Sequence, residues 1–117
     1  MEEWLGNLFK AIDDKDAARF VSFLTESASF RFGSAPTVSG RKNIGSAVAN
    51  VFTTVKSLSH RVLRVWKESD AVICEGEVTY ARIDGKHITL PFVNIFKMKD
   101  DLIADYRVYV DPAVLYA

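Results

Sequence analysis

Residues 71–98, AVICEGEVTYARIDGKHITLPFVNIFKM, contain two stretches of alternating character joined by Asp84-Gly85. No other pair of residues constrains the chain so tightly. A two-residue type I′ turn needs positive φ at both central positions, and Asp-Gly accepts that at little cost, so the pair reads as a tight β-hairpin. With Ile83 opposite Lys86, the turn sets Ala81, Thr79, Glu77 and Glu75 opposite Ile88, Leu90, Phe92 and Asn94, each pair sharing a face. The same period of two runs through HRVLRVW before the hairpin and LIADYRVYV after it, with KESD and KDD as connections. Four strands with short turns make an antiparallel meander.

The first half of the chain has helical spacing instead. EEWLGNLFKAI places Trp4, Leu5, Leu8, Phe9 and Ile12 on one stripe, with Glu2 and Glu3 at the end where the helix dipole favours negative charge. Asp13, Asp14 or Asp16 is an N-cap for a short second helix carrying Phe20, Val21 and Leu24. Ala28, Phe30 and Phe32 alternate before Gly33 and Pro36, predicting a short strand and a loop, and GRKNIGSAVANVFTTV returns to helical spacing. At 117 residues with 49% apolar and 26% charged side chains, the chain suits a single domain, 1–117.

Fifteen basic and fifteen acidic residues cancel, which supplies no field for a nucleic-acid backbone or an anionic membrane. No signal peptide or apolar run long enough to span a bilayer is evident, which points to a soluble, cytoplasmic protein. Cys74, alone in the apolar run AVIC, reads as a small core residue without chemistry. No phosphate-cradling glycine loop, no metal-ligand spacing and no Ser-His-Asp context occurs, so neither cofactor nor metal is expected. Both faces of the meander are apolar: Leu90, Phe92, Asn94, Phe96 and Met98 on one, Val78, Tyr80, Val93 and Ile95 on the other. The helices can cover only one. A second copy against the outer face, through Val78, Tyr80, Val93, Ile95 and Tyr109, predicts a homodimer.

The order of helices, short strand and meander, with GRKNI at Gly40 to Ile44 and DDLIADYRVYVD at the last strand, resembles the SnoaL-like branch of the superfamily that contains ketosteroid isomerase and nuclear transport factor 2. The resemblance implies an α+β fold in which a curved, cone-shaped antiparallel sheet wraps around N-terminal helices and encloses one apolar pocket. It also implies that Tyr106, Val108 and Val110 point inward. Carried over residue by residue, the isomerases' proton-shuttling Asp falls near Arg31 and their oxyanion Tyr on Leu8, so both roles are vacant. Their second oxyanion donor falls on Asn94, which keeps an amide. The epoxide hydrolases' Asp falls on about Val108, and His60 and His87 read as lying at strand ends or beside a turn.

Asn94 is the one amide in an apolar strand, and burying it costs a few kcal/mol unless partners are found. It reads either as a member of a satisfied network with Glu75, Glu77 or Tyr106, or as a donor to a ligand carbonyl. By the Asp-Gly register Glu77 shares its face and would be desolvated, as a general base requires. A shift of one residue would instead send Glu75 and Glu77 to the outer face. Arg31 reads as a guanidinium at the pocket mouth or as an outward side chain. Trp4, Leu8, Phe23, Phe30, Phe52, Phe92 and Phe96 are the expected lining for a small, flat, apolar molecule. Two functions fit: a cofactor-independent isomerase, cyclase or dehydratase of a small carbonyl compound with Glu77, Asn94 and Tyr106 catalytic, or a non-catalytic ligand-binding or dimerisation module.

Overall fold

A computed structural model describes residues 2–116. Helix α1 (Glu3–Asp13) buries Leu5, Leu8, Phe9, Ala11 and Ile12 along its apolar stripe. Lys15, at φ 56°, turns the chain, and Asp16 caps α2 (Ala17–Val21) by accepting from the Arg19 N–H at 3.0 Å. Strand β1 (Leu24–Phe32) follows, then β2 (Val38–Ser39), α3 (Arg41–Thr53) and the four strands of the meander, β3 (Ser57–Glu68), β4 (Ala71–Ala81), β5 (His87–Lys99) and β6 (Leu102–Tyr109). A 3-10 turn at Ala113–Tyr116 completes the described chain.

The six strands form one curved, unclosed sheet in the order β2-β1-β6-β5-β4-β3. The meander is antiparallel as the short connections dictate, but β1 runs parallel to β6, with Phe30 opposite Tyr106 and Phe32 opposite Val108. Parallel neighbours need a long crossover, and here α3 and the first three meander strands supply it. The β1–β6 register shifts between Leu24 and Ser29, and the Leu24 carbonyl is taken up by the Arg41 guanidinium at the start of α3. A backbone acceptor stranded by the irregularity thus finds a charged donor.

The hairpin turn differs from the type I′ expectation. Arg82 N–H donates to Lys86 O at 2.7 Å and Gly85 N–H to Arg82 O at 2.9 Å, leaving a three-residue loop, Ile83 to Gly85. Only Gly85 of that loop takes positive φ, at 92°, while the Asp84 carboxylate accepts from Lys86 N–H at 3.1 Å. Loops of this kind pair a turn with a left-handed glycine and add one residue to the connection. The register therefore moves by one: Glu77 faces Pro91, Glu75 faces Val93 and Cys74 faces Asn94. Glu75 and Glu77 accordingly stand on the outer face, and Val78 and Tyr80 are buried on the inner one. Both are removed from the outer surface assigned to them by the two-residue turn.

Sheet curvature has a local cause at Gly76. Opposite it, β3 is irregular between Val62 and Arg64, and the strands close so tightly that a Cβ on Gly76 would lie 2.2 Å from Arg61 O and 2.9 Å from Phe92 Cε1. The ring of Phe92 occupies the space above the glycine, where a bulge and a missing side chain let a sheet bend. Gly76→Ala should therefore lower the unfolding free energy by at least about 1–3 kcal/mol, the usual cost of overpacking. An unchanged denaturation midpoint would show instead that the strands separate freely there.

Candidate functional site

The concave face and the helices enclose a cavity of about 80 Å³ that opens to the surface. Ile12 of α1, Phe20 of α2, and Val48, Val51 and Phe52 of α3 line it from the helices. Phe30 and Phe32 of β1, beside Tyr106 and Val108, line it from the sheet with Leu58, His60, Val78, Tyr80, Phe92 and Asn94, and Val55 and Val110 complete the lining. The lining is aliphatic and aromatic apart from four groups that can hydrogen-bond: His60, Tyr80, Asn94 and Tyr106.

Period two from Leu58 points His60 inward between Leu58 and Val62, whose strand partners Tyr80, Val78 and Gly76 are all buried. At the C-terminal end of α1, Asp13 meets it. Asp13 Oδ1 lies 2.6 Å from His60 Nδ1, and Asp13 Oδ2 accepts from the His60 backbone N–H at 3.0 Å. An ionised carboxylate only accepts, so Nδ1 carries the hydrogen and Nε2 is the nitrogen left with a lone pair. The ring is fixed by Phe9, stacked at 4.8 Å between centroids, and by the edge of Phe92 at 5.4 Å. Asp13 carries negative charge at the helix end where the dipole opposes it, and a histidine partner offsets that cost. The reading of His60 as a strand-end residue was therefore mistaken. The alternation Leu58, His60, Val62 was the signal for it, whereas Asp13, weighed only as a cap, has no local signature for its pairing.

Asn94 is 2% exposed. Its Nδ2 donates to the Tyr106 hydroxyl across a long 3.5 Å, and its Oδ1 is the one buried side-chain polar atom among the described residues without a hydrogen-bond partner. The amide thus turns its donor toward the protein and leaves an acceptor, opposite to the donor role expected from the resemblance. Burial holds the Tyr106 phenol well above its ordinary pKa, with Cys74 and Tyr80 adding to the effect, so its hydroxyl stays protonated. Burial also pushes the Cys74 thiol up to about 12, against a partly opposing hydrogen bond with the Asn94 backbone, which leaves no thiolate near neutrality.

Of the other expected lining residues, Phe30, Phe52, Phe92, Val108 and Val110 border the cavity. Leu8 and Phe96 are fully buried in the core behind it, Trp4 packs edge-on against Phe96 at 5.4 Å, and Phe23 packs partly buried against the core. Arg31 is exposed and donates to the Ala35 carbonyl at 3.1 Å, so the outward alternative holds. Glu77 does not border the cavity, because the three-residue loop turns it outward. Arg107 pairs with Asp105 at 2.9 Å on the exposed side of β6. Among the described residues no cluster of His, Cys, Asp or Glu could hold a metal, and no helix is long and apolar enough to cross a membrane.

An unclosed, cone-like α+β sheet over three helices, with polar groups deep in an apolar hollow, defines the class of nuclear transport factor 2-like folds. Within it, residues 5–106 match the model of the SnoaL-like domain, and the chain belongs to that family. It is similar in structure to a putative SnoaL-like polyketide cyclase from Jannaschia sp., with a TM-score of 0.86 and 21% identity over 97% of this chain and 87% of that one. A putative isomerase from Bacillus subtilis aligns with a TM-score of 0.81 and 22% identity over 97% and 92% of the two chains. A hypothetical protein with a ketosteroid isomerase-like fold from Catenulispora acidiphila, in complex with trimethylamine, aligns with a TM-score of 0.86 and 12% identity over 93% and 85%. At these identities the likeness is one of fold. No curated protein matches the sequence.

The orphaned Oδ1 has a consequence for stability. Asn94→Leu removes a buried acceptor and only a 3.5 Å bond, so its thermal midpoint should equal or exceed that of the parent. A sharp fall in midpoint would show that the amide serves the protein's own network.

Proposed function

We propose that the protein is a cofactor-independent proton-transfer enzyme, an isomerase, cyclase or dehydratase of a small, largely apolar carbonyl compound. One observation carries this reading: the imidazole of His60, oriented by Asp13 at 2.6 Å, forms part of the cavity wall. A histidine so held can take a proton as a general base, and its carboxylate stabilises the imidazolium that forms. On the sheet, His60 and Asn94 lie two strands and four residues apart. At ordinary strand spacings that is roughly 16 Å between backbones, shortened at the side-chain tips by the curvature. The substrate carbon that gives up its proton is therefore conjugated with the carbonyl rather than beside it. The C–H bond breaks, the proton goes to Nε2, and the electron pair moves through the conjugated system to the carbonyl oxygen, which the neutral Tyr106 hydroxyl meets as charge develops. Return of the proton to another carbon completes an isomerisation without net redox change. Departure of a hydroxyl as water with the proton held on Nε2, or attack on a second carbonyl whose oxygen takes that proton, converts the same intermediate to a dehydrated or cyclised product.

Exchange of the γ-methyl protons of the conjugated enone 4-phenylpent-3-en-2-one in deuterium oxide, followed by NMR, tests the base. Catalysed exchange should fall about 100-fold or more in His60→Phe, the usual contribution of a general base, and by a smaller factor in Asp13→Asn. Exchange no faster than with free imidazole would favour the non-catalytic ligand-binding module instead.

The outer face supports a homodimer. Trp66, Ile73 and Ile95 form one cross-strand row, and Val93 lies beside the half-exposed Tyr109 in the next. Contiguous apolar area of this kind is usually covered. A second copy would bury it by two-fold symmetry, with Arg64 and Glu75 in the same cross-strand row as Val93. Val93→Asp should convert the dimer to monomer or insoluble protein, and a variant that remains a soluble dimer by light scattering would refute this surface.

A further inference from the structure

Asn94 and Tyr106 together specify more of the ligand than a lone carbonyl. Two facts define the local pattern. Nδ2 of Asn94 donates to the Tyr106 oxygen at 3.5 Å, so the phenol's own hydrogen remains to be donated elsewhere. Beside it, Oδ1 is an acceptor with no partner among the described residues, on a side chain 2% exposed that lines the cavity. A free donor and an unpartnered acceptor thus belong to neighbouring side chains of the cavity lining. A buried acceptor left empty costs a desolvation penalty that any occupant with an O–H or N–H would remove.

We infer that the substrate is a hydroxycarbonyl compound, its carbonyl oxygen taking the Tyr106 hydrogen and an adjacent hydroxyl or enol donating to Asn94 Oδ1. The two protein groups are neighbours, so the two ligand oxygens must be neighbours too, as in an α-hydroxy ketone or an enolised 1,3-dicarbonyl. A simple ketone satisfies the tyrosine and leaves Oδ1 empty. An ether in place of the hydroxyl sets two acceptors against each other, which a desolvated site does not tolerate. This assignment rests on the proposed function, which supplies the carbonyl, and narrows its substrate class.

The test is calorimetric binding of two isosteric ligands, 2-hydroxy-1-phenylethanone and propiophenone, in which a hydroxyl replaces a methyl group. Burial of the methyl in an apolar cavity favours propiophenone, so a preference for the alcohol requires a partner for its hydrogen. The parent protein should bind the hydroxyketone about 10-fold more tightly, Asn94→Leu should abolish or reverse that ratio, and Tyr106→Phe should weaken both ligands while keeping it. Equal or tighter binding of propiophenone by the parent overturns the inference. So does a ratio that survives in Asn94→Leu, or failure of both ligands to bind, as a fixed water sealed at Oδ1 would produce. The comparison within the parent needs no variant to fold. Absence of catalysed enone γ-proton exchange with the hydroxyl preference intact would sink the proton-transfer reading and leave a hydroxycarbonyl-binding site.

Discussion

The pairing of β4 with β5 governs the interior of this molecule. Because side chains alternate across a strand, a slip of one residue would exchange every group on the concave face for its neighbour. Arg82 to Lys86 is the link that forbids the slip, with Gly85 in the left-handed region and Asp84 bonded to the Lys86 N–H. In this register the concave face of the sheet carries Cys74, Gly76, Val78 and Tyr80, and the two glutamates go to the other side. The opposite register would bury two carboxylates against an apolar wall, at a cost of several kcal/mol each unless protonated. Turn geometry and desolvation thus select the same arrangement.

Curvature then converts a face into a cavity. Gly76 lies where β3 is irregular, and Phe92 fills the room above it, so the bend and the aromatic floor have one origin. The bend is also what lets His60 and Asn94, distant on the sheet, border the same space. A flat sheet with identical residues would hold them too far apart to act on one small molecule.

Much of the architecture was legible in the sequence, because it depends on period and on punctuation. The helical stripe of α1, the α3 pattern after Gly40 and the four alternating runs each announce themselves within about a dozen residues. Alternation placed Phe92 and Asn94 on one face, and the family resemblance placed Tyr106 and Val108 inward. What escaped was of two kinds. Loop length after Arg82 depends on one backbone torsion, at Gly85, that Asp-Gly permits in more than one turn type, so the faces of Val78 and Tyr80 came out reversed and that of Glu77 stayed open between two alternatives. The Asp13–His60 pair joins residues 47 apart, and no local periodicity encodes a contact between a helix end and a strand. The amide orientation at Asn94 likewise depends on Tyr106, a partner from another strand.

The parallel pair of β1 and β6 shapes the order in which the molecule can be assembled. Phe30 and Tyr106, ring to ring at 5.2 Å, come from positions 76 residues apart, and the meander must exist before they can meet. Contacts of such long range are slow to form, since the loop-closure entropy is spent before any reward. During synthesis β1 emerges early and presents an unpaired edge until the final strand leaves the ribosome. Its short partner β2 covers only Ser29 and Phe30, on the other side. The nascent chain is therefore most vulnerable to misassociation in the interval before residue 102, and a pause in translation there would prolong that exposure.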